Sequence, residues 1–191
     1  PIFQPAEFNP KLFLDEEGSL LVLKIQCVYE TEHGEVTLPG PNPDLQTGSY
    51  RFADKSYLIR RAQDEEAVLF AELQHMGFQP RSNHTWFMEQ EAAINFLLDF
   101  YPMLVEGYRV YGEQNLTRYK VRLTKPVINA EVKSDEENKW FTLDLTVQYD
   151  DQKVPIEDIW KAWVQKTRYV QLKDGSYTSL PESWLRRLGH K

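Results

Sequence analysis

The longest regular pattern in the chain is a strict alternation of polar and apolar residues from Lys139 to Tyr149. Phe141, Leu143, Leu145, Val147 and Tyr149 share one side, which predicts a strand with one buried face. The polar turn Asp150-Asp151-Gln152-Lys153 and the pair Val154-Pro155 follow. Apolar residues then recur at Ile156, Ile159, Trp160, Trp163 and Val164, the spacing of an amphipathic helix. Residues 168–185 read as a hairpin and a short helix. Asp174-Gly175 lies between two β-prone runs and suits a two-residue type I′ turn, where both central residues take positive φ. Such a turn sets Leu172 against Tyr177 and Val170 against Ser179. Pro181 is placed to start a helix carrying Trp184, Leu185 and Leu188.

Upstream, Lys11–Leu14 and Leu20–Tyr29 are strand-like, joined by Asp15-Glu16-Glu17-Gly18. The first half of the second strand is apolar on both faces, as a central, covered strand would be. Residues 39–48, PGPNPDLQTG, form a Pro/Gly-rich loop between further short strands at Val36–Leu38, Tyr50–Phe52 and Tyr57–Arg60. Asp64 to Met76 is a predicted helix, capped by Asp64, with Glu65 and Glu66 at its positive end. Its buried stripe is Leu69, Phe70, Leu73 and Met76. Gly77 stops it, and Phe78 supplies the apolar contact that follows a glycine cap. Thr85–Phe87 is a short strand. Glu89 to Tyr101 is a second helix ended by Pro102. Gly107–Tyr111, Arg118–Leu123 and Val127–Val132 read as strands, and Ser134–Asn138 as an exposed turn.

These elements predict an α+β fold: a mixed, largely antiparallel sheet with about four helices, closed by the C-terminal hairpin and short helix. One compact domain over 1–191 is expected, with 1–62, 63–138 and 139–191 as its subdivisions.

Composition adds constraints. A hydrophobic content of 41% supports a packed core. No run of about twenty apolar residues is present, so no membrane span is expected. No signal peptide is visible, and a first residue other than Met points to an excised fragment or a processed start. Cys27 is the single cysteine, so no internal disulfide forms; a cytoplasmic setting and a buried structural thiol are expected.

The net charge of −7 argues against a generic nucleic-acid coat, but its distribution is uneven. Residues 161–191 carry seven basic residues against Asp174 and Glu182, while 1–160 carry 15 basic and 27 acidic. Within the basic stretch, Lys166, Arg168, Lys173, Arg186 and Arg187 are candidate contacts for DNA or for a protein partner. On Arg118–Leu123 the alternation puts Arg118, Lys120 and Arg122 on one face. Such a face can track phosphates, with Tyr108 or Tyr111 stacking on bases, or it can simply guard a sheet edge.

Catalytic patterns are missing from the string of residues. There is no phosphate loop of the form GxxxxGK[ST]. Asp64-Glu65-Glu66-Ala67 opens a helix, where a Walker-B carboxylate would end a strand. There is no G-x-S-x-G elbow. Glu72 and His75 have the i, i+3 spacing of di-iron bundles, but no second such pair exists, and His33, His84 and His190 stand alone. No catalytic residue, cofactor or metal is therefore expected.

The order long strand, helix, hairpin, helix, with the strings WF at Trp140-Phe141, VPIEDIWKAW and RYVQLKDGSYTSLPESWL, resembles the helicase-associated domain of bacterial Swi/Snf-family ATPases. RRAQDEEAVLFAELQHMGF and EAAINFLLDFYPMLVEGYRVY resemble that family's upstream helices, so the likeness covers most of the chain from about Leu58 onward. In that family the domain precedes a two-lobed motor. The resemblance implies a non-catalytic accessory role beside an ATP-dependent DNA translocase, with the adjoining motor domains as partner, duplex DNA as a further one, and no membrane. A free-standing protein- or ligand-binding module and an unrecognised enzyme remain as other readings of the residues alone.

Overall fold

In a computed structural model, which describes residues 2–42, 44–82 and 84–188, the chain divides into two compact units, 1–118 and 119–191. The architecture is α+β, with five helices among the described residues and strands paired mostly antiparallel.

The first unit is organised around one strand. Its elements are β1 (Ile2–Phe3), β2 (Glu7–Phe8), β3 (Lys11–Glu17), β4 (Leu20–Thr31), β5 (Gly34–Leu38), β6 (Thr47–Phe52), β7 (Lys55–Arg60), α1 (Gln63–His75), β8 (Gln79–Pro80), β9 (Thr85–Glu89), α2 (Gln90–Asp99), α3 (Tyr101–Gly107) and β10 (Arg109–Tyr111). The sheet order is β10-β3-β4-β9-β8, with β2 and β5 also pairing to β4. Leu21, Val22 and Leu23 of β4 are all buried, so the doubly apolar half of that strand is covered on both faces as its sequence requires. Helix α2 turns Ala93, Ile94, Phe96 and Leu97 inward. Strands β6 and β7 form a separate small sheet with β1.

Helix α1 ends as expected. Gly77 takes φ +104°, Phe78 N–H donates to the Leu73 carbonyl at 3.0 Å, and the Phe78 ring is buried against Phe96. Its start differs. Ala62, not Asp64, occupies the cap position, and no side chain caps the helix. Asp64 lies inside the first turn, and Ala62 N–H donates instead to the Tyr29 hydroxyl at 3.0 Å. Pro102 also departs from expectation. The helix stops at Asp99, and Pro102 then sits in the first turn of a new helix, α3, where a proline lacks no needed donor. The strand expected from Gly107 shortens to Arg109–Tyr111 for that reason.

The second unit contains β11 (Val121–Arg122), β12 (Val127–Asp135), β13 (Trp140–Tyr149), β14 (Gln152–Pro155), α4 (Ile156–Val164), β15 (Tyr169–Gln171), β16 (Tyr177–Ser179) and α5 (Glu182–Leu188). One sheet runs β12-β13-β14 and the other β11-β16-β15. Their shared core is Val147, Tyr149, Val154, Ile159, Val170, Leu172, Leu180 and Leu185, with Ile128, Ile156, Ala162, Trp163 and Trp184 packed around it. The Tyr149 hydroxyl donates to the Ser179 carbonyl at 2.9 Å. Helix α4 closes with two bonds, Lys166 N–H to Trp163 and Thr167 N–H to Ala162, with Lys166 itself at φ +61°.

The hairpin β15–β16 forms with a register one residue from the expected one. Val170 faces Thr178 and Gln171 faces Tyr177, and Leu172 N–H donates to the Ser176 carbonyl at 2.8 Å. The loop is therefore Lys173-Asp174-Gly175, a three-residue connection with Gly175 N–H bonded to the Leu172 carbonyl. Only Gly175 takes positive φ, +88°. This arrangement spares Asp174 the left-handed conformation that a type I′ turn would impose on it.

Candidate partner-docking surface

The predicted basic residues are distributed unevenly among structural and exposed roles. The strand expected over Arg118–Leu123 reduces to Val121–Arg122, paired in parallel to β16. Tyr119 is buried, Lys120 is exposed, and Leu123 is 57% exposed, so the proposed alternation does not persist. Arg118, in the first unit, is exposed and its backbone N–H donates to Glu16 at 2.9 Å. Of the aromatic residues considered for base stacking, Tyr108 donates its hydroxyl to Glu72 at 2.9 Å, and Tyr111 stacks on Phe13. Burial, and then that bond to Glu72, push the Tyr108 phenol upward. Glu72 is thereby engaged, and no group of three or more His, Cys, Asp or Glu suited to a metal occurs among the described residues.

Arg122 is a hub. Its guanidinium reaches Asp174, Asp151 at 3.3 Å and Asp150 at 3.6 Å, and its Nε donates to Ser176 Oγ at 3.2 Å. Its carbonyl accepts from Thr178 Oγ1 at 3.1 Å. Asp174 is held from its other side by the Ser176 hydroxyl at 2.6 Å and the Ser176 backbone N–H at 2.9 Å. The Ser176 bonds and then Arg122 hold the Asp174 carboxyl well below the usual carboxylate range. The hub thus ties β11 to two turns, and three carboxylates offset the positive charge of Arg122. Arg168 and Arg186 both approach Glu182, at 3.4 and 3.5 Å. Lys166, Lys173 and Arg187 are exposed.

The second unit leaves apolar side chains uncovered on α4 and on β13. On α4, Ile159 is buried and Trp163 is half-buried, but Trp160 and Val164, one turn apart, face solvent. On β13 the apolar face is covered only at one end. Val147 and Tyr149 are fully buried, whereas Leu143 is 58% and Phe141 78% exposed. The core ends there: of β13 only Val147 and Tyr149 belong to it, and β14 pairs only with Thr146–Tyr149, so the rest of the strand has β12 alone beside it. Periodicity shows which residues share a face, not whether anything lies on it. The flanking run Lys133–Lys139, polar at every position, was the available sign that this end leaves the core.

A second missed feature lies in the first unit. Glu66, read as a helix-start charge, is 3% exposed. Its Oε1 accepts from the Tyr29 hydroxyl at 2.6 Å and from Arg61 Nε at 3.1 Å, while Arg61 Nη1 donates to the Pro39 carbonyl at 2.6 Å. Nearby Cys27 is fully buried, and burial pushes its thiol up to about 12, as a structural rather than a nucleophilic cysteine requires. This network is a core ion pair with all its partners internal.

The sequence profile of the family described as bacterial SNF2 helicase associated matches residues 2–191, and the chain belongs to that family. No curated protein and no solved structure matches it. Among the described residues, no helix is long and apolar enough to cross a membrane.

Proposed function

We propose that the chain is a non-catalytic accessory segment that docks on a bacterial SNF2-type motor, with contact to duplex DNA as a secondary role. The observation that carries this reading is the surface of residues 119–191. Nine large apolar side chains are exposed there among the described residues, against eight in the much longer first unit. Exposed apolar groups favour protein contact over phosphate contact. Charge supports the same ordering. Residues 1–118 carry nine basic and eighteen acidic residues, which opposes a polyanion, and carboxylates engage Arg122, one of the cations expected to track phosphates.

The test uses charge reversals to Glu at Lys166, Lys173, Arg186 and Arg187. In the motor-bearing protein they are expected to change the ATPase rate. The 191-residue chain by itself is expected to turn over no ATP and to bind duplex DNA more weakly than micromolar near physiological salt. Micromolar duplex binding that the reversals abolish would make DNA the primary partner. No change in either assay would reduce these cations to solvated surface.

A second reading, a free-standing ligand-binding module, draws on one observation. A groove of about 900 Å³ in the first unit is lined by Phe8, Val68, Met76, Phe100, Met103 and Leu104, with Asp64, Glu65 and Glu72 among its polar residues. A reading frame that holds no motor beside this chain would favour it.

A further inference from the structure

Strands β12 and β13 form a hairpin with one mainly apolar and one mainly polar face. Antiparallel register sets Leu143 opposite Val132, Leu145 opposite Ala130 and Val147 opposite Ile128 on one face. That face is continuous with the core at its base, where Val147 is buried, and open toward the tip, where Val132 is 63% exposed beside Leu143 and Phe141. The opposite face carries Asn129, Glu131, Lys133, Thr142, Asp144, Thr146 and Gln148, with exposed Val127 at its base and exposed Trp140 at its tip. It satisfies itself by diagonal pairs, Lys133 to Asp144 at 3.2 Å and Asn129 to Gln148 at 2.7 Å. The tip turn is ordered, with Asp135 accepting from Glu137 N–H and from the Asn138 side chain.

We propose that the uncovered apolar face of this hairpin, centred on Val132, Phe141 and Leu143, is the surface by which the domain seats on its motor, against an apolar patch rimmed by lysine or arginine. The inference rests on the docking reading above. A ribbon of two strands with no third beside it is marginal in water, and its distal six residues of β13 span roughly 20 Å. Covering the apolar face is what would secure it.

Charge selects the occupant. Residues 127–149 hold Glu131, Asp135, Glu136, Glu137 and Asp144 against Lys133 and Lys139, a net of −3 inside a unit whose other residues carry eleven basic and six acidic. The arm therefore repels phosphates. It also repels the same arm of a second copy laid face to face, since both tips carry Asp135, Glu136 and Glu137. A cationic rim around an apolar patch on the motor meets both requirements.

The test places the photo-reactive analogue p-benzoylphenylalanine at Phe141 in the motor-bearing protein, with cross-links mapped by mass spectrometry after irradiation. Links are expected to motor peptides in which apolar residues neighbour Lys or Arg. A covalent dimer through a second copy, links to added duplex DNA, or no link at all would each overturn the proposal. The triple variant Val132→Thr, Phe141→Thr, Leu143→Thr keeps β-forming residues and removes the apolar face. It is expected to lower the yield of lysine-to-lysine cross-links between residues 1–191 and the motor by about tenfold. An unchanged yield overturns the proposal. The two readings fail separately. If the unmodified protein gives no lysine cross-link between this domain and the motor, docking itself is wrong. If those links form and the Phe141 probe gives none, docking stands and the arm is not its surface.

Discussion

Residues 1–118 and residues 119–191 are built alike, from mostly antiparallel strands with helices laid on them, yet they finish their surfaces differently. The first unit closes over its central strand β4 from both sides, and even buries an ion pair, Arg61 with Glu66, whose partners all come from within. The second unit has a smaller core, and its longest strand runs off it, leaving Phe141 and Leu143 in solvent on the same face as buried Val147 and Tyr149. The first unit is acidic, nine basic against eighteen acidic; the second is slightly basic, thirteen against eleven. The difference is one of coverage: the central strand of the first unit is enclosed along its apolar run, and the longest strand of the second is enclosed only at its base.

That contrast is most exposed to failure at Glu66. Glu66→Ala leaves Arg61 buried without its carboxylate and removes the acceptor of the Tyr29 hydroxyl, so a loss of about 3–5 kcal/mol is expected. Hydrogen exchange of peptides within 1–118 measures it, and exchange rates matching the parent would show that the first unit does not depend on its closed network.

In the second unit the corresponding weak point is a turn. Gly175 holds φ +88° with open space around it, so Gly175→Val is penalised by conformation alone, by about 1–3 kcal/mol. Gly175→Asn, which tolerates that conformation better, should recover part of the loss in a thermal melt. Equal losses for Val and Asn would assign the effect to something other than φ.

A smaller effect concerns acid. The folded Asp174 carboxyl is depressed by Ser176 and Arg122, so its contribution to stability is present above the unfolded value of about 3.9 and is lost as pH falls through the folded value. Melting temperature followed downward from pH 5 should therefore fall more shallowly for Asp174→Asn than for the parent. Because Asp174 is solvent-exposed, the difference is expected to be modest. Parallel acid limbs would mean that the Arg122 hub does not hold the two turns together.

The smallest effect sharpens the comparison most. Phe141→Thr and Leu143→Thr should change the stability of the 191-residue chain by no more than about 0.5 kcal/mol each, because neither side chain is covered. The same changes at Val147 or Ile159 should cost several times that, since both are fully buried. Equal costs at Phe141 and Val147 would mean that the arm is packed in solution, and the distinction between the units would narrow.

Local rules made much of the fold legible from the sequence. The doubly apolar run at Leu21–Leu23 marked the central strand, Gly77 and Phe78 marked the end of α1, and Gly175 marked a residue at positive φ. These follow from backbone sterics and from two-residue or 3.6-residue periodicity, which neighbouring residues determine among themselves. The family, too, was readable in the strings from Trp140 to Leu185, and the profile match extends it to residues 2–191. Tertiary structure decided the rest. Glu66 became a buried partner of Tyr29, 37 positions away, and Arg122 found Asp174, 52 positions away. Asp174 was spared a left-handed turn because the hairpin chose a three-residue loop. Above all, the alternation along β13 was correct from end to end, yet only its base is covered, since burial depends on which distant elements reach a face and no local pattern encodes their reach.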